Sequence, residues 1–283
     1  MSAARFQADL RVVEARGMGA GLHLLALALP GRDPGEGGFR AGQFAQLAVP
    51  GRALPRPFSI LRSAAGRLEF LVKAVGPGTN WLAARRSGQA VPALWPLGRG
   101  FRDKLREDDR GETWLLVGGG VGIPPLIALK EQAGDRPGIE LLFGHRDAAT
   151  ARAAALLHPG LEPHLATEDG SLGFAGRVTG LLKKTLDEHA AASPAQLLRI
   201  FCCGPDPMME AVAALAKERS LPCLLSLETL MGCGIGICVG CAVPRAGGGF
   251  ALACQEGPVF STDELAAPEH PSPVDSACCG MPS

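Results

Sequence analysis

The sequence predicts an α/β plus β fold, in which an antiparallel β-barrel precedes a parallel α/β domain and a small cysteine-rich segment. Short apolar segments broken by glycine and proline fill the first hundred residues. From Thr113 onward, apolar runs alternate with helical segments, and four cysteines fall between residues 233 and 254. Because 283 residues exceed what one core usually accommodates, we expect two domains with an appendage.

Evenly spaced strands account for the predicted barrel. Alternating apolar segments occur at 10–13, 22–29, 44–49 and 68–75. Such strands, separated by turn residues, are typical of a small antiparallel barrel. The sequence therefore predicts a first domain over residues 1–103.

A regular alternation of strands and helices predicts the second domain, over residues 104–222. The predicted strands are 113–117, 139–144, 162–167 and 197–203, and the predicted helices are 124–132, 148–157, 178–189 and 207–219. This order is typical of a parallel sheet with crossover helices. The cysteine-rich segment is assigned to 223–262, and the proline- and alanine-containing residues 263–283 are predicted to form a flexible tail.

Composition argues against several classes of protein. The net charge is zero, which indicates neither a nucleic acid nor a membrane surface as partner. No apolar run approaches the roughly 18 residues of a membrane helix, and the charged N-terminus lacks a secretory signal pattern. Nine cysteines, four of them at the spacing of metal ligands, favour a reducing cytoplasm over a disulfide framework.

The cysteine run is the most specific motif. Cys233, Cys238 and Cys241 form a C-x4-C-x2-C pattern, and Cys254 follows twelve residues later. This spacing matches the plant-type run that binds a [2Fe–2S] cluster. The glycines between the cysteines suit a loop whose N–H groups point at sulfur. A structural zinc site is the alternative, because four thiolates also suit zinc.

Two motifs in the barrel could hold a phosphate-containing ligand. The first is Arg56-Pro57-Phe58-Ser59, in which the arginine fork suits a pyrophosphate. The second is the predicted strand through Val72, Lys73 and Ala74, which leads to Gly78 and Thr79 at a helix start. Alternatively, Arg56 is a surface charge, Phe58 a core ring, and the second motif an ordinary turn.

Two further motifs follow predicted strands of the α/β domain and therefore lie at one edge of its sheet. They are a glycine-rich turn (Gly118, Gly119, Gly120 and Gly122) and the run Cys203, Gly204 and Pro205. Open α/β sheets bind ligands at this edge, and glycine lets a cofactor approach the backbone. The alternatives are turns without a ligand and a thiol that is simply buried.

The order of these motifs, together with Pro96–Phe101 and Glu168–Ser171, resembles that of the ferredoxin-reductase superfamily. Within it, residues 1–262 resemble the electron-transfer subunits of bacterial NAD-dependent dihydroorotate dehydrogenases. The resemblance implies an FAD-binding barrel, an NAD-binding α/β domain and a [2Fe–2S] segment. It also implies a hetero-oligomer with an FMN-containing dihydroorotate dehydrogenase catalytic subunit.

Carried over by position, the resemblance gives each motif a role. Arg56 would bind the FAD pyrophosphate, and Ser59 would contact the isoalloxazine. FAD would also contact residues 72–74, Gly78 and Thr79. NADH would approach from the glycine-rich turn and from Cys203–Pro205. The four cysteines would ligate the cluster. The chain departs from the family in having no tyrosine, and in carrying Cys278-Cys279-Gly280 beyond the region of resemblance, which we interpret as a flexible thiol end.

Two other functions are compatible with the same residues. A diaphorase subunit of a hydrogenase or of a ferredoxin–NADP reductase complex would share the fold and cofactors but have another partner. A zinc-bound interaction module without enzymatic activity would use the glycine motifs only as turns.

Overall fold

The computed structural model describes residues 5–29, 38–105 and 111–266. The first sheet has seven antiparallel strands in the order β4-β3-β7-β1-β2-β6-β5. These strands are β1 (Phe6–Gly19), β2 (Leu22–Ala28), β3 (Phe44–Leu47), β4 (Arg56–Ser59), β5 (Arg62–Ala64), β6 (Arg67–Lys73) and β7 (Ala90–Leu97).

This sheet curls into a barrel because its edge strands β4 and β5 are consecutive along the chain. Ile60 N donates to Gln43 O at 3.0 Å, and Leu61 N donates to Glu69 O at 2.9 Å. The interior is apolar and includes fully buried side chains such as those of Phe70 and Trp95. Helix α1 (Pro77–Ala83) packs beside it through Leu82. The predicted antiparallel barrel is confirmed.

Two barrel elements differ from the sequence prediction. The run Arg56–Ser59, expected to precede a strand, is itself strand β4 and pairs with β3. Strand β7 was not predicted, since it contains Pro92 and Pro96, and proline usually marks an edge or an end of a strand. It nevertheless lies between β3 and β1.

The second sheet has the order β11-β10-β9-β8-β12-β13-β16, and every neighbouring pair is parallel except the last. Its strands are β8 (Thr113–Gly119), β9 (Ile139–His145), β10 (His164–Thr167), β11 (Phe174–Ala175), β12 (Leu198–Cys203), β13 (Cys223–Ser226) and β16 (Val259–Ser261). The helices are α2 (Pro124–Ala133), α3 (Ala148–Ala155), α4 (Val178–Ala192) and α5 (Asp206–Glu218). The predicted parallel α/β arrangement is confirmed.

The cysteine-rich segment lies between β13 and β16. It contains a two-stranded hairpin of β14 (Ala242–Pro244) and β15 (Phe250–Leu252). Of the predicted tail, residues 263–266 are ordered, because Glu264 accepts from Ser261 N and binds Lys104. The remainder, with Cys278 and Cys279, lies outside the described residues, and the predicted domain boundaries stay predictions.

An ion-pair network joins the barrel to the α/β sheet. Arg62 donates to Glu69 of the barrel at 2.7 Å and to Glu131 of α2 at 2.9 Å. It also donates to Leu157 O at 3.0 Å. The two parts therefore meet through specific contacts. Within the described residues, no helix is long and apolar enough to cross a membrane.

Candidate functional site

A cleft of about 400 Å³ lies where the barrel, the α/β sheet and the cysteine-rich segment meet. This volume is within the range of roughly 300–1,000 Å³ that is usual for ligand pockets. The lining includes Ser59 and Lys73 from the barrel, Val121 and Cys203 from the α/β sheet, and Met231 just before the first cysteine of the run. Residues from all three predicted parts thus share one cleft.

The Arg56–Ser59 run forms one wall of this cleft. Pro57, Phe58 and Ser59 line it, and all are half-buried. The Arg56 guanidinium donates to Leu54 O at 3.0 Å, and its Nε lies 3.5 Å from where a Cβ on Gly78 would be. A Cβ at Gly78 would be in ordinary van der Waals contact with Arg56, so the two predicted barrel motifs are neighbours.

Thr79 is engaged in building the turn before α1. Its hydroxyl accepts from Val75 N and Gly76 N, both at 3.0 Å, and donates to Gly76 O at 3.1 Å. The hydroxyl proton of Thr79 is therefore already donated to Gly76 O, and the expected contact with phosphate would compete with this hydrogen bond. In the preceding strand region, Lys73 lines the cleft, Val72 is fully buried, and Ala74 N donates to Gly21 O at 2.9 Å.

The glycine-rich turn divides into two kinds of position. Gly118 and Gly119 lie inside β8, and a Cβ on either would meet side chains such as Phe143 or Met208. A Cβ on Gly122 would lie 2.5 Å from Cys203 O. Of these four glycines, only Gly120, with φ +57°, could carry a Cβ that meets no other heavy atom within 4 Å. Three of the glycines therefore allow close internal packing, and only Gly120 offers an uncovered backbone.

The Cys203–Pro205 run continues the same edge of the sheet. Cys203 ends β12 next to Gly118, and burial raises the pKa of its thiol. A Cβ on Gly204 would lie 2.6 Å from the methyl carbon of Met208, while Pro205 precedes helix α5. The structure therefore brings the two predicted edge motifs into direct contact.

Glu228 and Thr229 are cleft residues that the sequence analysis missed. Both line the cleft, and the Thr229 hydroxyl is buried without a hydrogen-bond partner among the described residues. Desolvation by the cleft walls raises the pKa of Glu228, with a smaller contribution from the charge of Asp206. Glu228 and Thr229 follow the parallel strand β13, and this position could have indicated them as site residues, but β13 itself was not predicted. An unpaired hydroxyl and a carboxyl in one cleft fit a polar ligand.

The four cysteines of the run lie in two pairs. Cys233 N donates to Cys238 Sγ, and Cys238 N donates to Cys233 Sγ, both at 3.4 Å. The Sγ atoms of Cys241 and Cys254 are 3.2 Å apart, and Cys254 N donates to Cys241 Sγ at 3.5 Å. Two thiolates for each of two irons is the arrangement that a [2Fe–2S] cluster requires.

Backbone N–H groups converge on the Cys233 sulfur. Ile235 N and Ile237 N donate to it at 3.4 and 3.3 Å, in addition to Cys238 N. Although desolvation raises the pKa of Cys233, these donors outweigh it and bring the pKa to about 6. N–H donors directed at a thiolate are what cluster binding needs, so the donor set fits the group. Within the described ranges, no three His, Cys, Asp or Glu side chains form a group that could hold a single metal ion.

Comparisons with known proteins agree with this geometry. Residues 228–266 match the family model described as the iron-sulfur cluster binding domain of dihydroorotate dehydrogenase B. The dihydroorotate dehydrogenase B (NAD(+)) electron transfer subunit of Bacillus caldolyticus is 36% identical over 233 residues, covering 79% of this chain and 86% of the relative. That of Desulforamulus reducens is 35% identical over 241 residues, covering 78% and 88%.

Solved structures share the fold. An NADH-dependent reduced ferredoxin-NADP oxidoreductase superposes with a TM-score of 0.72 at 24% identity, covering 92% of this chain and 90% of that one. A ferredoxin NADP+ reductase from Neisseria gonorrhoeae, solved with FAD and NADP, gives a TM-score of 0.59 at 20% identity, covering 75% and 91%.

The fold is therefore that of the ferredoxin-reductase-like oxidoreductases, extended by a cysteine-rich segment. More specifically, the chain belongs to the family of dihydroorotate dehydrogenase B (NAD(+)) electron transfer subunits. The resemblance drawn from the motif order is confirmed.

Proposed function

We propose that this protein transfers electrons between NAD(H), FAD and a [2Fe–2S] cluster, and exchanges them with an FMN-containing dihydroorotate dehydrogenase catalytic subunit. One observation carries the proposal. A single cleft is lined by Ser59 of the barrel, Cys203 of the α/β sheet and Met231 of the cysteine-rich segment. A flavin bound there would contact residues from all three parts of the chain.

The cofactors supply the redox chemistry: NAD(H) exchanges hydride, the flavin exchanges one or two electrons, and the cluster exchanges single electrons. The protein must hold these groups at fixed separations and exclude competing reactions. The barrel and the α/β sheet do so as one body, since the Arg62 network ties strand β5 to helix α2.

The residues of the cleft divide these tasks. Arg56, which precedes the cleft-lining Pro57, is assigned to the FAD pyrophosphate, together with its neighbour Gly78 and with Thr79 at the start of α1. Ser59 of the barrel and Glu228 of the segment after β13 both line the cleft, and their polar groups are assigned to contacts with the flavin ring.

Nicotinamide binding is assigned to the edge formed by Gly120, whose backbone is uncovered, and Cys203, a residue that lines the cleft. NADH should be preferred to NADPH. Asp147 caps α3 at this edge of the sheet, and hydrogen bonds from Thr150 keep its pKa low. A second carboxylate, Asp169, follows the neighbouring strand β10, and its pKa is lowered by hydrogen bonds from Ser171. Two ionised carboxylates would repel a 2′-phosphate.

The proposed docking surface for the catalytic subunit surrounds the cluster loop. Leu230, Ile237 and Val239 are exposed by 90%, 77% and 59% of their surface. Leu54, from the barrel turn, is 52% exposed and borders Gly232 of the loop. Exposed large apolar side chains close together along one loop favour a protein interface. A cluster beneath such a surface would lie close to its electron acceptor.

A cytoplasmic location is part of the proposal. The seven cysteines in the described part of the chain are all free thiols, three of them buried outside the cluster run. A reducing compartment suits both these thiols and an iron–sulfur cluster.

Two measurements test the proposal. The purified chain should contain one FAD and about two irons with two acid-labile sulfides, as a Cys₄-bound [2Fe–2S] cluster requires. It should also reduce dyes with NADH in preference to NADPH. Stoichiometric zinc without sulfide would refute the cluster assignment.

Co-expression tests the partner. With a dihydroorotate dehydrogenase catalytic subunit from the same genome, the chain should copurify and couple dihydroorotate oxidation to NAD reduction, which neither subunit should do alone. An Ile237→Glu change should weaken copurification, and Phe250→Glu, at a residue of similar exposure on the β14–β15 hairpin, is the matched control. Firm binding to a hydrogenase or ferredoxin-reductase subunit instead would transfer the chain to the diaphorase alternative.

A further inference from the structure

The amide of Gln46 is buried without satisfactory hydrogen bonds. Gln46 is in barrel strand β3 and is only 2% exposed. Its Oε1 has no hydrogen-bond partner among the described residues, and its Nε2 reaches Gly232 O at the long distance of 3.5 Å. An unsatisfied buried amide is destabilising, whereas an apolar residue of similar size carries no such penalty. Stability alone therefore does not explain a glutamine at this position.

The location of this amide suggests its role. A Cβ on Gly234, in the cluster loop, would lie 2.8 Å from Gln46 Cγ and 3.0 Å from Nε2. Gly234 has φ +71°, which glycine adopts without strain. The glutamine thus contacts the loop at two points, Gly232 and Gly234, on either side of the ligand Cys233.

Gln46 also lies in the strand next to the Arg56–Ser59 run, which forms one wall of the cleft. In the ladder between β3 and β4, Gln46 is paired with Pro57, which lines the cleft next to Phe58 and Ser59. Its side chain therefore spans from the strand pair that carries the flavin motif to the loop that carries the cluster cysteines.

The opposite side of the loop is held by a different glutamine. Gln255 Nε2 donates to Ile235 O at 2.6 Å, and Gln255 Cγ lies 2.8 Å from where a Cβ on Gly236 would be. Gln255 belongs to the cysteine-rich segment itself, next to Cys254. Gln46 is the residue that makes the corresponding contact from the barrel.

We propose that Gln46 is a positioning residue that sets the cluster loop relative to the flavin-binding strands, and so controls electron transfer between flavin and cluster. The inference rests on the proposed function. It assigns to Gln46 no part in NADH oxidation, because the side chain faces the cluster loop rather than the nicotinamide edge.

The test compares Gln46→Leu and Gln46→Met with Gln43→Leu. Gln43 is similarly buried, at 5%, but its amide is satisfied: Oε1 accepts from Arg40 N and Nε2 donates to Gly98 O, both at 2.8 Å. Each holoprotein is studied by the EPR spectrum and midpoint potential of its cluster. Stopped-flow mixing with NADH then separates the reduction of the flavin from that of the cluster.

Both Gln46 variants should shift the EPR spectrum and the midpoint potential and slow cluster reduction severalfold, with flavin reduction unchanged. Loss of iron with FAD retained, in the Gln46 variants only, is the stronger form of the same result. Gln43→Leu should melt at a lower temperature and keep the wild-type cluster signature. Wild-type spectra, potential and cluster reduction in the Gln46 variants, or equal changes in Gln43→Leu, would overturn the inference. Absence of iron from the wild-type chain would instead refute the proposed function.

Discussion

Replacing Gly122 by alanine should strongly destabilise the contact between the two edge motifs of the α/β sheet. The new Cβ would lie 2.5 Å from Cys203 O and 2.6 Å from Gly204 N. Real Cβ contacts are essentially never shorter than 3.0 Å, so two backbone segments must separate by about half an ångström. No flexible side chain is available to absorb this shift.

Overpacking of this kind typically costs 1–3 kcal/mol, and we expect about 3 kcal/mol here because both partners are backbone. For a unit of about 150–250 residues, that corresponds to a melting temperature lower by roughly 6–12 °C. The KM for NADH in dye reduction should also rise, since Cys203 lines the cleft and would be displaced.

Gly119→Ala is the matched control within the same turn. Its new Cβ would meet mainly the thioether end of Met208, which can rotate away, so we expect a loss of about 1 kcal/mol. Thermal unfolding followed by circular dichroism compares the two variants. Equal melting temperatures for Gly122→Ala and Gly119→Ala would refute the distinction between backbone and side-chain contacts.

Three other perturbations have defined outcomes. Cys238→Ser should abolish the visible absorption of the cluster and leave FAD bound. The control Cys202→Ser, at a fully buried thiol of β12, should retain iron. Equal iron contents in the two variants would contradict the ligand assignment. Arg62→Ala should reduce the free energy of unfolding by about 2 kcal/mol, because charge-assisted hydrogen bonds are lost. The control Arg16→Ala, in an exposed ion pair, should reduce it by roughly 0.5 kcal/mol or less. Similar urea midpoints for the two variants would refute the role of the Arg62 network. Burial, and to a smaller extent the charge of nearby His158, lowers the pKa of His145 from 6.5 to about 4. The unfolded chain therefore binds a proton at His145 more readily than the folded chain does. The free energy of unfolding should fall as the pH drops from 6.5 towards 4, by about 3 kcal/mol at pH 4. In urea titrations, His145→Gln should show a smaller loss over this range, and an unchanged pH dependence would exclude His145 as the cause.

Local patterns were sufficient for much of the fold and for most of the site motifs. The alternation of strands and helices after Thr113 predicted β8, β9, β10 and β12 with their crossover helices, because one apolar run per element is a local signal. The cysteine spacing and the glycines between the cysteines predicted a loop with N–H groups directed at sulfur, and in the structure Cys233 and Cys238 exchange such bonds. Both features depend on residues that are close together along the chain.

Elements that depend on distant partners were not predicted. Strand β7 contains two prolines, yet it lies in the interior of the barrel sheet because β1 and β3 pair with it on either side. Strands β13 and β16, separated by the cysteine-rich segment, meet at the edge of the α/β sheet. Strand β16 has only three residues, and no helix follows β13 to continue the alternation of strands and helices, so neither strand gives a clear local signal.

The sequence by itself determined which residue types could serve a redox site and the order of the elements that carry them. Only the tertiary structure decided that Gly122 contacts Cys203, that Glu228 and Thr229 face the same cleft as Ser59, and that Gln46 reaches the cluster loop. Gln46 and Gly232 are separated by 186 positions along the chain. Residue patterns report the periodicity of one element at a time, whereas such contacts arise from the packing of elements against one another.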